Sequence, residues 1–243
     1  MPTHKRQPST NALNALTTGA VEVVGRLPWS SNFTFLVDVA GANKTTRAVY
    51  KPEQGEQELW DFPPALYKRE VAAFELSQAL GWPNIPPTTI REDAPYGVGS
   101  LQLFVPADFE QHYFTLMEDE EKQREHIEAF VRIATFDIIA NNTDRKSGHC
   151  LLGEDSQIYA IDNGLCFHPD PKLRTVIWEF QGTPVPDQLL VDIERVQGDL
   201  PTAIHDLLDK NEVISLRDRM QEVLQNPVFP PLVSQRQYPW PIV

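Results

Sequence analysis

Asn142-Thr143-Asp144-Arg145-Lys146-Ser147-Gly148-His149 and, shortly beyond it, Ile158-Tyr159-Ala160-Ile161-Asp162-Asn163-Gly164 decide how the rest of this chain is read. Asp144 and His149 stand five positions apart, and Asp162 closes a short apolar run ahead of Asn163-Gly164. Together they set two carboxylates where transfer of a phosphoryl group needs them, one to accept or orient a hydroxyl and one to hold a hard cation. On this reading Asp144 handles the hydroxyl, Lys146 neutralises charge on the group in flight, and Asp162 is the metal ligand. A lone Asp-Arg after a helix would be an ordinary turn; the spacing to His149 and Asp162 argues otherwise. His149 keeps two readings, metal contact or a histidine that orders the loop, because neutral imidazole suits manganese or zinc better than magnesium. The six histidines show no HxxxH or HxH spacing, which argues against zinc hydrolase chemistry.

The 243 residues, 41% of them hydrophobic, suffice for one large core or two lobes sharing a cleft. No stretch approaches the roughly 18 uninterrupted apolar residues of a membrane span, and the first residues lack the apolar run of a signal peptide, so cytoplasmic residence is expected. Acids outnumber bases 34 to 21, a formal net charge of −13, which argues against nucleic acid and anionic bilayers as partners. Cys150 and Cys166 are too few for a disulfide framework and read as reduced, packed thiols, with redox sensing the alternative.

Residues 1–18 carry no clear periodicity and are expected to form a flexible leader. Residues 20–26 and 33–39 alternate as a strand hairpin around Ser30-Ser31-Asn32, and residues 45–51 form a third strand ending on Lys51. A long loop over 52–64 leads to a helix over 66–80 that Gly81 stops, then to strands over 85–90 and 100–105. The order predicts a five-stranded antiparallel sheet with one helix across it. After Pro106 the pattern turns helical, with a long helix over 122–140, a short hairpin over 150–161, and helices over 186–196 and 203–224. The tail, 226–243, holds five prolines and reads as an extended strap. The expected division is a leader (1–18), a first lobe (19–105) and a second lobe (106–243).

Lys51 offers an ammonium for nucleotide phosphates, and a helix carboxylate, Glu70 or Glu75, can hold it in place. Ser30, Ser31 and Asn32 could close over phosphates through backbone N–H groups and hydroxyls, although polar hairpin tips are common. Lys172, Arg174, Ile177 and Trp178 either shape an acceptor site or, for the apolar pair, pack on the second lobe.

The motif set resembles the protein-kinase-like fold and, within it, the phosphatidylinositol 3-/4-kinase and HipA-like branch. It is similar to bacterial proteins labelled phosphatidylinositol 3-/4-kinase-like. Asn142-Thr143-Asp144-Arg145 looks like the catalytic loop of type II phosphatidylinositol 4-kinases, Ile85-Pro86-Pro87-Thr88 a strand of their small lobe, and Gly99 to Val105 the strand leading to their hinge. The resemblance spans roughly residues 20–180. It implies an α+β, two-lobed fold with an antiparallel sheet and one helix in the first lobe and a mostly helical second lobe. It further implies an ATP site in which Lys51 pairs with Glu70, backbone groups of Phe104 and Val105 hold adenine, Asp144 is the base and Asp162 the Mg2+ ligand, with Mn2+ a further candidate. His149 stands where that family has Asn, and Asn163 where Phe follows the metal-binding Asp. The expected activity is ATP-dependent transfer to a protein hydroxyl or small soluble alcohol. A nucleotide-binding pseudokinase and a protein nucleotidyltransferase are the alternatives. The sequence leaves the acceptor, the partners and the oligomeric state open.

Overall fold

The computed structural model describes residues 10–28, 32–41 and 44–243. Its first half is a five-stranded antiparallel sheet in the order β1-β2-β3-β5-β4, with β1 Val21–Arg26, β2 Phe35–Ala40, β3 Thr45–Pro52, β4 Thr88–Arg91 and β5 Gly99–Leu103. The alternation read from residues 45–51 is realised in β3, where Thr46, Ala48, Tyr50 and Pro52 are buried on one face. Val37 opposes Ala48, and Tyr50 opposes Leu101, so three strands contribute to one apolar layer. Lys51, one residue out of phase with Tyr50, is left on the opposite face.

The apolar layer is covered by α1 (Thr10–Thr18), whose Leu16 is fully buried against Val37, Val39 and Tyr50. This corrects the expected leader over residues 10–18. The helix was invisible to periodicity because its contact with the sheet rests on little more than Ala15 and Leu16. Residues 1–9, the remainder of that expectation, lie outside the described residues. The Arg91 guanidinium secures the helix end by donating to the carbonyls of Leu16 and Gly19 at 2.9 and 2.8 Å.

α2 (Leu66–Leu80) lies toward the other side of the sheet and ends, as expected, at Gly81, which takes φ of 75°. Its inner residues Phe74, Leu76 and Leu80 join the large core built from α4 (Glu120–Ala140), α5 (Asp187–Gly198), α6 (Thr202–Leu207) and α7 (Lys210–Gln225). A buried ion pair between Arg69 and Glu212 ties α2 to α7. The single helix expected over 203–224 is two, because Asp209 caps a new start by accepting from the Asn211 and Glu212 N–H groups in a capping box. Also unforeseen are β6 (Ala107–His112) and α3 (Tyr113–Glu118); β6 pairs with the hairpin β7 (Cys150–Gly153) and β8 (Ile158–Ala160) in a three-stranded sheet. The tail is extended apart from one 3-10 turn, Gln235–Gln237. No helix among the described residues is long and apolar enough to cross a membrane.

Candidate functional site

Lys51 reaches from β3 into a cleft of about 120 Å³ that Glu70, Asp144, Asp162 and Asn32 also line. Its placement depends on close approach of β5: a Cβ on Gly99 would come within 2.3 Å of the Lys51 carbonyl oxygen, so only glycine fits opposite this end of β3. The ammonium pairs with Glu70 Oε1 and, at 2.7 Å, with Asp162 Oδ1. Burial opposes its charge, but the Asp162 and Glu70 carboxylates outweigh that and hold it protonated. The choice between Glu70 and Glu75 is thereby resolved in geometry. Glu70 also accepts the Asn163 N–H at 3.0 Å through Oε2, joining α2 to the segment that carries Asp162.

Asp162 adopts a left-handed conformation, φ 58°, which a non-glycine residue enters at a cost and keeps only when its neighbours enforce it. The enforcing contacts lie beneath it. The fully buried Arg145 donates to the Ile161 carbonyl at 2.9 Å and to Asn163 Oδ1 at 2.7 Å, while its guanidinium forks onto Asp137 at 2.9–3.2 Å. Asp137 also accepts from Asn142 Nδ2 at 3.0 Å, and Asn142 Oδ1 in turn accepts the Asp144 N–H at 2.9 Å. One buried carboxylate therefore orders both functional loops. The Lys51 charge holds the Asp162 carboxyl well below the usual carboxylate range.

Asp144 follows the end of α4, where Asn141 takes φ of 52° and turns the chain. Burial pushes its carboxyl up to about 6 against the pull of Lys146, whose ammonium is 3.5 Å away. His149 closes the loop on a 3-10 turn, Ser147–His149, with Nδ1 2.9 Å from the Asp144 carbonyl and Nε2 3.4 Å from Asp162 Oδ2. Burial keeps the imidazole neutral, its pKa pushed down to about 4, although Asp162 pulls the other way. Cys150 and Cys166 are buried and free, and burial raises both thiols, Cys150 to about 12. Neither has the low pKa of a reactive thiol.

Other expected site residues are less directly engaged. Ser30 and Ser31 lie outside the described residues; Asn32 lines the cleft and accepts the Gln57 N–H at 3.0 Å. The Phe104 N–H donates to the Arg47 carbonyl at 3.0 Å, extending the sheet by one bond toward the second half. Ile177 and Trp178 are buried in the helical half, and Lys172 bonds Asp61 of the loop before α2 at 3.1 Å. Sequence reasoning passed over Asp137, Arg145, Asn163 and Glu212. Asp137 had left a signal, an acid inside the apolar run Phe136-Asp137-Ile138-Ile139, where an ionised side chain needs a partner. The tail's contribution, an Ile242 carbonyl that accepts the Ser147 N–H at 2.8 Å, left none.

A structure of hydra Fam20 with sugar is similar at a TM-score of 0.56 and 13% identity, over 88% of this chain and 87% of that one. A structure of the Golgi casein kinase with Mn/ADP bound is similar at 0.56 and 16%, over 96% and 80%. At such identity the likeness is one of fold: an α+β protein-kinase-like arrangement of five-stranded antiparallel sheet and helical second half. No family model matches the chain. Protein Rv2133c of Mycobacterium tuberculosis (strain ATCC 25618 / H37Rv) is 36% identical over 260 residues, with 93% of each chain covered, and the chain belongs to the family of that protein.

Proposed function

We propose that this member of the Rv2133c family is an ATP-dependent phosphotransferase acting on a protein hydroxyl or a small soluble alcohol. The observation that carries the reading is the meeting of Lys51, Glu70, Asp144 and Asp162 at one cleft from four separate segments. Lys51, fixed by Glu70, would contact the nucleotide phosphates. Asp144, with a pKa near 6, is ionised at neutral pH yet basic enough to take a proton from an acceptor hydroxyl. Lys146, its ammonium 3.5 Å from Asp144, would offset charge on the transferred group. Ser30, Ser31 and Asn32 and the backbone groups of Phe104 and Val105 complete the proposed nucleotide contacts.

The donor set suits a divalent ion that arrives with its nucleotide. Asp162 offers a hard oxygen and His149 a neutral nitrogen, and among the described residues no group of three or more His, Cys, Asp or Glu could hold a metal ion without further ligands. Such an ion would supply charge neutralisation between the phosphates. The Golgi casein kinase structure, with Mn/ADP bound, supports nucleotide with a divalent metal as the cofactor pair, Mg2+ or Mn2+ here. The finer kinship to phosphatidylinositol 3-/4-kinase-like proteins rests on the catalytic-loop motif. It does not extend to lipid acceptors in this reading, since a net charge of −13 disfavours anionic bilayers.

The test is thermal stabilisation by ATP with Mg2+ and with Mn2+, on wild type and on Asp162→Ala. A metal-dependent shift in the wild type that the variant loses is expected; an equal shift in both would sink the assignment. A pseudokinase is the second reading, favoured by His149 at the usual Asn position. ADP production or self-phosphorylation, absent in Asp144→Asn, separates the two, and a mass gain of AMP on a target would indicate nucleotidyl transfer instead.

A further inference from the structure

His149 is held in a way that an ordinary loop-ordering histidine does not require. Its Nδ1 lies 2.9 Å from the Asp144 carbonyl oxygen and 3.4 Å from the Lys146 N–H. A carbonyl only accepts, so the shorter contact calls for a ring proton on Nδ1 and turns Nε2 away from the loop. Nε2 faces Asp162 Oδ2 at 3.4 Å, and the carboxylate's other oxygen is taken by Lys51 at 2.7 Å. The nitrogen and the oxygen thus converge on one point, where a cation can lie against both.

The loop geometry is what makes the convergence rigid. Ser147 is buried, its N–H held by the Ile242 carbonyl at 2.8 Å and its hydroxyl 2.8 Å from His112 Nδ1, so the 3-10 turn that presents His149 is anchored from the tail and from β6. The Asp162 side is anchored by Arg145 and Glu70 as described above. Histidines that bind metals commonly donate their second ring N–H to a backbone carbonyl, which fixes the tautomer and raises the basicity of the free nitrogen. Two donors 3.4 Å apart are also within the span of one first-row divalent ion, whose bonds to nitrogen and oxygen are about 2.1 Å each.

We propose that His149 Nε2 and Asp162 Oδ2 form a nitrogen–oxygen pair that makes the nucleotide's metal site select Mn2+ and similar transition ions over Mg2+. The inference rests on the nucleotide-site reading above and adds ion selectivity to it. Magnesium demands oxygen ligands and yields its waters reluctantly, whereas the later divalent ions accept imidazole readily. An asparagine at position 149 would offer a carbonyl oxygen and remove that bias.

The experiment is electron paramagnetic resonance of MnCl2 with ADP and the protein, with spin-echo modulation to detect nitrogen bound to the ion, and competition by MgCl2. Wild type labelled with 15N-histidine should change the modulation relative to unlabelled protein, which assigns the nitrogen to a side chain and not to adenine. His149→Asn should abolish that signal and weaken Mn2+ about tenfold while leaving Mg2+ little changed. A protein-bound Mn–ADP signal with no histidine nitrogen in the wild type overturns this inference and leaves the nucleotide site standing. A spectrum identical to Mn–ADP in buffer overturns both. The wild-type labelling result decides the question even if the variant folds poorly.

Discussion

Replacing Asp144 by Asn is expected to abolish transfer and at the same time to stabilise the protein. Burial raises the carboxyl from an ordinary 3.8 to about 6, so the folded protein resists ionising a group that the unfolded chain ionises freely. Two pKa units correspond to about 3 kcal/mol at neutral pH. A quarter of the side chain remains exposed and Lys146 lies 3.5 Å away, so we discount this to about 1–2 kcal/mol. The sign follows from which state holds the proton. Below pH 3.8 both states are protonated and Asp144 costs nothing; between 3.8 and 6 the unfolded chain alone releases its proton; above 6 the cost is complete. Asn carries no charge at any pH and keeps a similar shape, and the Asp144 N–H retains its bond to Asn142.

Asp144→Asn should therefore melt about 3–6 °C above wild type at pH 7.5 in metal-free buffer, with the difference shrinking toward zero near pH 4. Urea unfolding at both pH values, with unchanged slope, gives the same difference as a free energy. In parallel kcat should fall by about 10²–10⁴, and the wild-type kcat/KM should drop about tenfold per pH unit below 6. A variant no more stable than wild type at pH 7.5, or a gain that persists undiminished at pH 4, would refute the argument from burial. Gain of stability with loss of activity is the signature of a group kept at a structural cost for its chemistry.

Glu212→Ala would leave the Arg69 guanidinium buried without its carboxylate and remove the reciprocal bond of the α7 capping box, while Asp209 still caps the helix; the loss should be about 3–5 kcal/mol, read as a fall in melting temperature near 10 °C. Lys51→Met keeps the length of the side chain but strands Glu70 and Asp162 without a cation. Calorimetric titration with ATP and Mg2+ should show affinity at least about tenfold weaker, and undiminished binding would remove Lys51 from the nucleotide site.

How much of this was legible beforehand depended on the distance over which each residue finds its partner. The strands of the first sheet, the helix over 66–80 and its glycine stop, and the long helix running into the Asp144 loop are written in local alternation and capping, so the chain alone determined them. The same holds for the five-residue spacing of Asp144 and His149, since a short loop constrains where its ends can lie. Patterning left Glu70 and Glu75 open because both sit on one helix, the family resemblance favoured Glu70, and the structure shows Glu70 meeting Lys51 and, 93 residues further on, the Asn163 N–H. The tertiary structure likewise revealed α1 covering the sheet, the Asp137 carboxylate beneath both loops, the Arg69–Glu212 pair, and the tail that holds Ser147. Periodicity reports which face of an element is apolar. It carries no record of which distant element will meet that face, nor of which buried charge will find its counterion there.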